Sequence, residues 1–196
     1  MNTVLKALVF LAMIALSPII IISIILILIE DGRPAIFVQE RLGKNKKIIK
    51  IYKIRTMNNL TPNLGTHEIN LSNHLRIGVY LRKFKIDELP QLINYIKGDV
   101  QLVGPRPCLP NQKELVNLRE KNQIFDIKPG ITGLAQVLGY DMSDPRSLLQ
   151  IEKIYADKKT LKLNLLIFFS TFFNYFKNII RNDLKEDIQN INQTQC

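Results

Sequence analysis

The chain has 196 residues, of which 46% are apolar and 22% charged, so it is neither a disordered tail nor a small disulfide-rich protein. Lys and Arg number 27 against 17 Asp and Glu, which gives a net charge of +10. Within residues 1–30 only Lys6 and Glu30 are charged, so the positive excess lies downstream. The two cysteines, Cys108 and Cys196, belong to no Cys-x-x-Cys or Cys/His cluster, which disfavours a zinc site, a thioredoxin-like site and a disulfide framework.

An uncharged apolar segment opens the chain. Residues 7–29 would make a helix of about 35 Å, against a bilayer core of about 30 Å. Ser17 and Pro18 lie near its centre, where Pro18 predicts a kink because it lacks an N–H and crowds the carbonyl of Ile14. Such a helix either spans as a bent signal anchor or turns back, and hydropathy alone favours the anchor. Residues 41–55 carry seven Lys/Arg and no acid, which predicts a cytoplasmic C-terminal end.

The segment after the apolar helix predicts a hairpin and a loop. Residues 35–39 and 48–54 are β-rich runs that flank a turn at 43–45. Residues 58–73 are rich in Asn, Thr, Pro and Gly and lack periodicity, so we expect a mobile loop there.

The second half of the chain predicts helices around one short strand. A one-faced helix is expected from Ile86 until Gly98 ends the pattern, because apolar residues repeat there at helical spacing. Residues 112–121 predict a short helix, and residues 134–137 predict a strand. Residues 161–180 are rich in Phe and also contain lysines, a pattern that fits either a membrane interface or a buried helix.

Asp87 and Glu88 are the first candidates for chemistry. As an ordinary structural feature, Asp87 would cap the predicted helix, with Pro90 in the first turn. Alternatively, one carboxylate could attack a phosphorus while the other holds a hard divalent cation. Basic residues surround the pair and suit phosphate, anionic lipid or a solvated face: Arg76, Arg82, Lys83, Lys85, Lys97 and Arg106.

Five motifs in this order after an apolar helix resemble the bacterial sugar transferases, the small monotopic phosphoglycosyl transferases. They are residues 51–57 (IYKIRTM), 86–92 (IDELPQL), 97–99 (KGD), 103–107 (VGPRP) and 128–137 (KPGITGLAQV). Together they cover nearly the whole chain to about Tyr155 and are highly specific, whereas any one alone would be weak.

The resemblance implies transfer of a sugar phosphate from a UDP-sugar to undecaprenyl phosphate with release of UMP. Asp87 would be the nucleophile that becomes a phosphosugar ester, and Glu88, with Asp87, would bind Mg²⁺. Arg82 would meet phosphate. Lys53, Arg55, Arg106 and Pro107 would belong to the phosphate and nucleotide site. The sugar is expected to be an N-acetylated amino sugar, and no nucleic-acid partner is expected; no oligomeric state is implied.

The resemblance also changes the membrane prediction, because the family's N-terminal helix is re-entrant and breaks at a pair like Ser17 and Pro18. We therefore expect an α+β, mainly helical protein with a re-entrant membrane helix at residues 1–30. Residues 31–196 would form a small catalytic domain with interfacial amphipathic helices, on the cytoplasmic face of the bacterial inner membrane.

Some positions depart from the family pattern. Leu134 stands where many members have Trp, residues 153–156 replace an Asp-x-Tyr-Tyr run, and Asn164 replaces an Asp. Leu134 is a variation known from one branch of the family and changes little. The other two departures weaken roles for C-terminal acids, and the Asp87 and Glu88 pair is intact.

Two other functions fit part of the sequence. A basic anchor protein could bind lipid or nucleic acid without catalysis, but such a binder has no use for paired acids in its basic face. A transferase of an ordinary sugar to a lipid-linked acceptor would need no covalent Asp intermediate and would release UDP.

Overall fold

The computed structural model describes residues 3–61 and 73–193, with side chains as far as residue 189. The chain forms two compact units. The first unit comprises Met1–Arg41 and Ile49–Asp99, and the second comprises Leu42–Ile48 and Val100–Cys196. Helices dominate, and the described strands form two sheets of two strands each, so the predicted mainly helical α+β class is confirmed. Most of the predicted loop 58–73 lies outside the described residues.

Helix α1, Thr3–Asp31, is the N-terminal apolar segment. Its mean hydropathy reaches 3.0, and among the described helices it alone is long and apolar enough to cross a membrane. The helix continues through Pro18, and the Ser17 hydroxyl donates to the carbonyl oxygen of Ile14 at 2.7 Å. That carbonyl is the one that Pro18 leaves without an N–H partner, so Ser17 satisfies the backbone inside an apolar helix.

In the first unit a hairpin and two short helices follow α1. Strands β1 (Ile36–Leu42) and β2 (Ile48–Ile54) pair in one sheet, which confirms the predicted hairpin. Helix α2 spans Arg76–Lys83 and α3 spans Gln91–Lys97. The helix predicted from Ile86 is therefore too long, because residues 86–88 form a separate 3₁₀ turn. Buried Asn94 joins α3 to β2 by accepting from the Tyr52 N–H at 3.2 Å and donating to the Lys50 carbonyl at 2.6 Å.

The second unit contains a parallel strand pair and six helices among its described residues. Strand β3 (Gln101–Val103) pairs with β4 (Gly130–Thr132). The helices, in chain order, are α4 (Lys113–Lys121), α5 (Leu134–Leu138), α6 (Pro145–Lys158), α7 (Leu161–Ser170), α8 (Asn174–Asp183) and α9 (Lys185–Gln193). Gly130 allows the strands to meet, since a Cβ there would lie 2.1 Å from the Gly104 nitrogen.

The sequence predicted a helix and a strand in this unit. The helix at 112–121 is confirmed as α4. The strand at 134–137 is wrong, because these residues form α5, which ends at Gly139 with a φ of +94°. A short apolar run fits both structures. The left-handed Gly139 favours the helix, because its backbone N–H donates to the carbonyl oxygens of Ala135 and Gln136 in the last turn.

The aromatic segment 161–180 divides into α7 and α8 and has two faces. Leu163, Ile167 and Ile180 are buried in the core of the second unit. Phe172, Phe173 and Tyr175 are exposed by 58%, 58% and 70%. The core interpretation therefore holds for one face, while the other presents aromatic rings at the surface.

Candidate active site

The carboxylate pair lies on a tight turn between α2 and α3. Residues 86–88 form one turn of 3₁₀ helix, and Lys85 before it has a φ of +59°, in the left-handed region. Helix α3 begins after Pro90, and Asp87 makes no capping bond to it. The capping interpretation of Asp87 is therefore wrong, and its burial needs another explanation.

Asp87 is 7% exposed, and its Oδ1 has no hydrogen-bond partner among the described residues. Burial raises the pKa of this carboxyl, and the neighbouring Glu88 charge raises it further, while Lys53, Arg82 and Lys85 lower it. A buried acceptor without a partner is costly to the fold, typically about 1–3 kcal/mol. Such an atom is typical of a group kept for chemistry or for a ligand.

Glu88 is held by a lysine from the hairpin. Lys53 on β2 donates from Nζ to Oε1 of Glu88 at 2.8 Å, and both side chains are largely buried. Because Lys53 also lowers the pKa of Asp87, one ammonium group acts on both carboxylates.

Among the described residues, Thr56 and His74 hold the guanidinium of Arg82. Its Nε donates to Oγ1 of Thr56 at 2.8 Å, and Nη1 lies 3.0 Å from Nε2 of His74. Thr56 approaches because Gly78 in α2 has no side chain, and a Cβ at Gly78 would lie 2.3 Å from the Thr56 carbonyl oxygen. In this orientation the positive charge of Arg82 lowers the pKa of Asp87.

Arg55 has a different set of partners. Its Nη2 donates to the carbonyl oxygens of Asp31 at 3.1 Å and Gly32 at 2.9 Å, and it lies 3.2 Å from the Asp31 carboxylate. The guanidinium also contacts the side chain of Asn59. Lys53, Arg82 and Lys85 therefore lower the pKa of Asp87, whereas Arg55 binds the end of α1.

Arg106 and Pro107 lie in the second unit, in the extended segment between β3 and α4. They line a small cavity whose other walls are Leu42, Gly43, Pro105, Arg119, Ile124, Phe125, Ile127 and Pro129. Beside it, Arg119 and Glu152 form a buried ion pair with Nε to Oε2 at 2.9 Å, and each is 2% exposed.

The sequence did not reveal several of these partners. Thr56 lies inside a motif quoted above, but its hydrogen bond to Arg82 depends on the close approach at Gly78. No local pattern singles out His74. In the second unit the Tyr155 hydroxyl lies 2.9 Å from Oδ1 of Asn164 and 3.1 Å from the Val103 carbonyl oxygen. Tyr155, which keeps the first Tyr of the family run, therefore contacts Asn164, which departs from the family pattern.

The candidate ligands for a metal ion are two adjacent carboxylates. Within residues 3–61 and 73–193 no group of three or more His, Cys, Asp and Glu side chains could hold a metal ion. Asp87 and Glu88 offer the hard oxygen atoms that Mg²⁺ prefers, and Oδ1 of Asp87 has no described partner. Mg²⁺ commonly completes its coordination with water and substrate phosphates, so the pair fits a magnesium ion that arrives with a phosphorylated substrate.

Comparison with known proteins shows that the chain is similar to one protein family and to several of its members. The family model described as bacterial sugar transferase matches residues 2–178. A UDP-N-acetylgalactosamine-undecaprenyl-phosphate N-acetylgalactosaminephosphotransferase of Aeromonas hydrophila is 35% identical over 79% of this chain and 38% of its own length. The uncharacterised sugar transferase EpsL of Bacillus subtilis is 35% identical over 79% of this chain and 76% of its own.

A third relative carries a different sugar in its name. The UDP-glucose:undecaprenyl-phosphate glucose-1-phosphate transferase of Caulobacter vibrioides is 34% identical over 72% of this chain and 54% of its own length. The chain thus spans about four tenths to three quarters of the length of these three relatives.

Proposed function

We propose, from the premise that the chain belongs to the bacterial sugar transferase family, that it transfers a sugar 1-phosphate from a UDP-sugar to undecaprenyl phosphate. The observation that carries the proposal is the buried Oδ1 of Asp87, which has no described hydrogen-bond partner. The positive charges of Lys53 and Arg82 act on this carboxylate and lower its pKa. A carboxylate kept in this way can attack a phosphorus atom, and cations beside it can bind the phosphate oxygens.

The transfer takes place in two displacements. In the first, an Asp87 carboxylate oxygen bonds to the phosphorus that bears the sugar, and the bond from this phosphorus to the bridging oxygen breaks, releasing UMP. In the second, a phosphate oxygen of undecaprenyl phosphate bonds to the same phosphorus and the aspartyl bond breaks. The product is undecaprenyl diphosphosugar, and Asp87 returns as a carboxylate.

The surrounding side chains have separate tasks in this scheme. Arg82, oriented by Thr56 and His74, binds the phosphate that carries the sugar. Lys53 lowers the pKa of Asp87 against the effect of burial and so favours the ionised form of the nucleophile. Asp87 and Glu88 would hold Mg²⁺, which would neutralise charge at the diphosphate when bound. The family resemblance also implies a role in nucleotide binding for Arg106 and Pro107, which lie in the second unit.

The membrane placement is part of the same proposal. The apolar α1 contains Pro18. In the proposed placement it would bend back at Ser17 and Pro18, so that both of its ends face the cytoplasm, and the exposed rings of α7 and α8 would lie in the membrane interface. An epitope tag at the N-terminus tests this in spheroplasts. Access to the tag only after permeabilisation supports re-entry, whereas access in intact spheroplasts contradicts it; Pro18→Ala is expected to increase outside access by favouring a straight span.

The direct test of function is a panel of donors incubated with the full-length protein and undecaprenyl phosphate. The panel contains the UDP derivatives of N-acetylgalactosamine, N-acetylglucosamine, galactose and glucose. We expect the reaction to release UMP and to form a lipid diphosphosugar. The best donor should carry an N-acetylated amino sugar. In the cell, this reaction would be the first membrane step of surface glycan synthesis. Release of UDP would identify an ordinary glycosyl transferase instead.

The same preparation tests the binding alternative. A basic anchor protein without catalysis would release neither nucleotide and would bind any polyanion with a steep salt dependence. Turnover with specific donors, at salt concentrations that abolish binding to unrelated polyanions, excludes that alternative.

A further inference from the structure

The C-terminal end of α1 is joined to the segment that carries the carboxylate pair. Glu30, near the end of this helix, accepts from the first two backbone N–H groups of α2, from Arg76 at 2.6 Å and Ile77 at 3.1 Å. These N–H groups have no partner within α2 itself, and its N-cap residue Leu75 supplies none. A carboxylate from one helix therefore caps another helix 46 residues later.

Asp31, the residue after Glu30, makes a second connection between the end of α1 and the rest of the first unit. The Asp31 carboxylate accepts from the backbone N–H of Asn59 at 3.0 Å and pairs with Arg55 at 3.2 Å. The carboxamide of Asn59 donates to the carbonyl oxygens of Asp31 at 2.9 Å and Arg33 at 3.1 Å. Arg55 is 6% exposed, so the cluster is anchored in the first unit at Arg55, while Asn59 lies at the surface.

Apolar packing beneath these bonds leads to the site. Ile27 of α1 is fully buried in a cluster with Ile54 and Leu81, and Ile86 packs against the same cluster. Ile54, Leu81 and Ile86 each lie next to a site residue in the chain. Their neighbours are Lys53, Arg82 and Asp87, respectively. The last turns of α1 and the carboxylate turn are therefore built on one packed core.

We infer that Glu30 and Asp31 are positioning residues that hold the Asp87 turn at a fixed place relative to the membrane helix, and so serve the step with the lipid acceptor. The inference rests on the proposed function. The phosphate of a lipid acceptor lies at one depth in the headgroup region, whereas a soluble nucleotide sugar can approach from any height. A site that tilts or rises on its membrane helix would therefore lose its alignment with the lipid while still meeting the donor.

The test compares the two substrates in the full-length protein in nanodiscs. The double variant Glu30→Ala/Asp31→Ala removes both carboxylates, and we expect kcat/KM for undecaprenyl phosphate to fall about tenfold or more, since small misplacements cost that much. The value for the UDP-sugar is expected to stay within about twofold, because each kcat/KM of a two-step transfer reports its own step. Glu30→Gln keeps one accepting oxygen and is expected to recover most of the acceptor value.

A control and an independent readout accompany the kinetics. Glu40→Ala removes an exposed acid from β1 in the same unit and is expected to change neither value. Hydrogen exchange at the amides of Arg76 and Ile77 is expected to quicken in Glu30→Ala, since these amides lose their acceptor.

Three outcomes overturn the inference. If the double variant lowers both kcat/KM values equally, the two carboxylates only stabilise the unit. If it changes neither value, or if exchange at the two amides is unaltered, they position nothing. A wild-type protein that releases no UMP with any donor would instead refute the proposed function, and that result appears before any variant is made.

Discussion

Two buried carboxylates, one in each unit, show how differently this chain treats the same chemical group. Glu152 in the second unit is 2% exposed and binds Arg119 through both of its oxygens. Asp87 in the first unit is 7% exposed, and its Oδ1 has no described partner. The first arrangement satisfies a buried charge, and the second leaves one oxygen available.

The difference separates a structural acid from a reactive one. A buried ion pair is costly to break because one charge would then stay in the core without its counter-ion. A buried carboxylate with an open lone pair lowers the stability of the fold and raises its capacity for nucleophilic attack. Substituting the two acids should therefore have different effects. The protein should lose activity when Asp87 is changed and lose stability when Glu152 is changed.

The largest effect is expected at Asp87. Asp87→Asn keeps the size of the side chain and removes the nucleophile, so UMP release should fall about 10⁴-fold or more while the protein still folds and inserts. The measurement is the initial rate of UMP release, with the thermal unfolding curve as a check on folding. A folded variant that works near the wild-type rate would return Asp87 to a structural role.

Removing divalent cations should come next. The donor diphosphate and the two carboxylates bring several negative charges together, so excess EDTA is expected to lower turnover about 10³-fold, the equivalent of several kcal/mol. Added Mg²⁺ should restore the rate. Full turnover in EDTA would show that Lys53 and Arg82 suffice to neutralise the site.

Glu152→Gln tests the structural side of the comparison. It leaves the Arg119 charge buried without a counter-ion, so the free energy of unfolding should fall by about 3–5 kcal/mol. Glu120→Gln is the matched control, because it removes an exposed pair with Lys46 and should cost less than about 1 kcal/mol. Equal losses in thermal or denaturant unfolding for the two variants would remove the distinction between them.

The smallest predicted effect is a shift in pH dependence. Asp87 must be ionised to attack and its pKa is raised by burial, so the rate should fall as pH drops through a pKa above the ordinary Asp range. Lys53 lowers that pKa, and Lys53→Met should therefore move the acid limb of the rate profile to higher pH. Lys50→Met, at an exposed position on the same strand, should leave the limb in place.

Local patterns predicted the elements better than the contacts between them. The hairpin and α4 follow from turn residues and periodicity, and the Asp87 and Glu88 pair was recognised from its motif. The start of α3 was missed because Pro90 and the left-handed Lys85 divide one apolar pattern into a 3₁₀ turn and a helix. Helix boundaries of this kind depend on backbone geometry that residue spacing does not contain.

Long-range side-chain bonds were the least predictable part. Glu30 reaches Arg76 across 46 residues, and Arg119 reaches Glu152 across 33. Neither pair has a local signature, because the partners meet only after the core has formed. Arg55 illustrates the same point at the site, since its motif suggests phosphate while its described contacts are with Asp31, Gly32 and Asn59.

The most direct test of the central claim is the mass of the protein after incubation with donor alone. Without undecaprenyl phosphate, the wild type should release UMP once and gain the mass of one phosphosugar on the peptide that contains Asp87. The Asp87→Asn variant should gain nothing under the same conditions. UMP release that requires the lipid acceptor, with no adduct on Asp87 at any time, would contradict the covalent account.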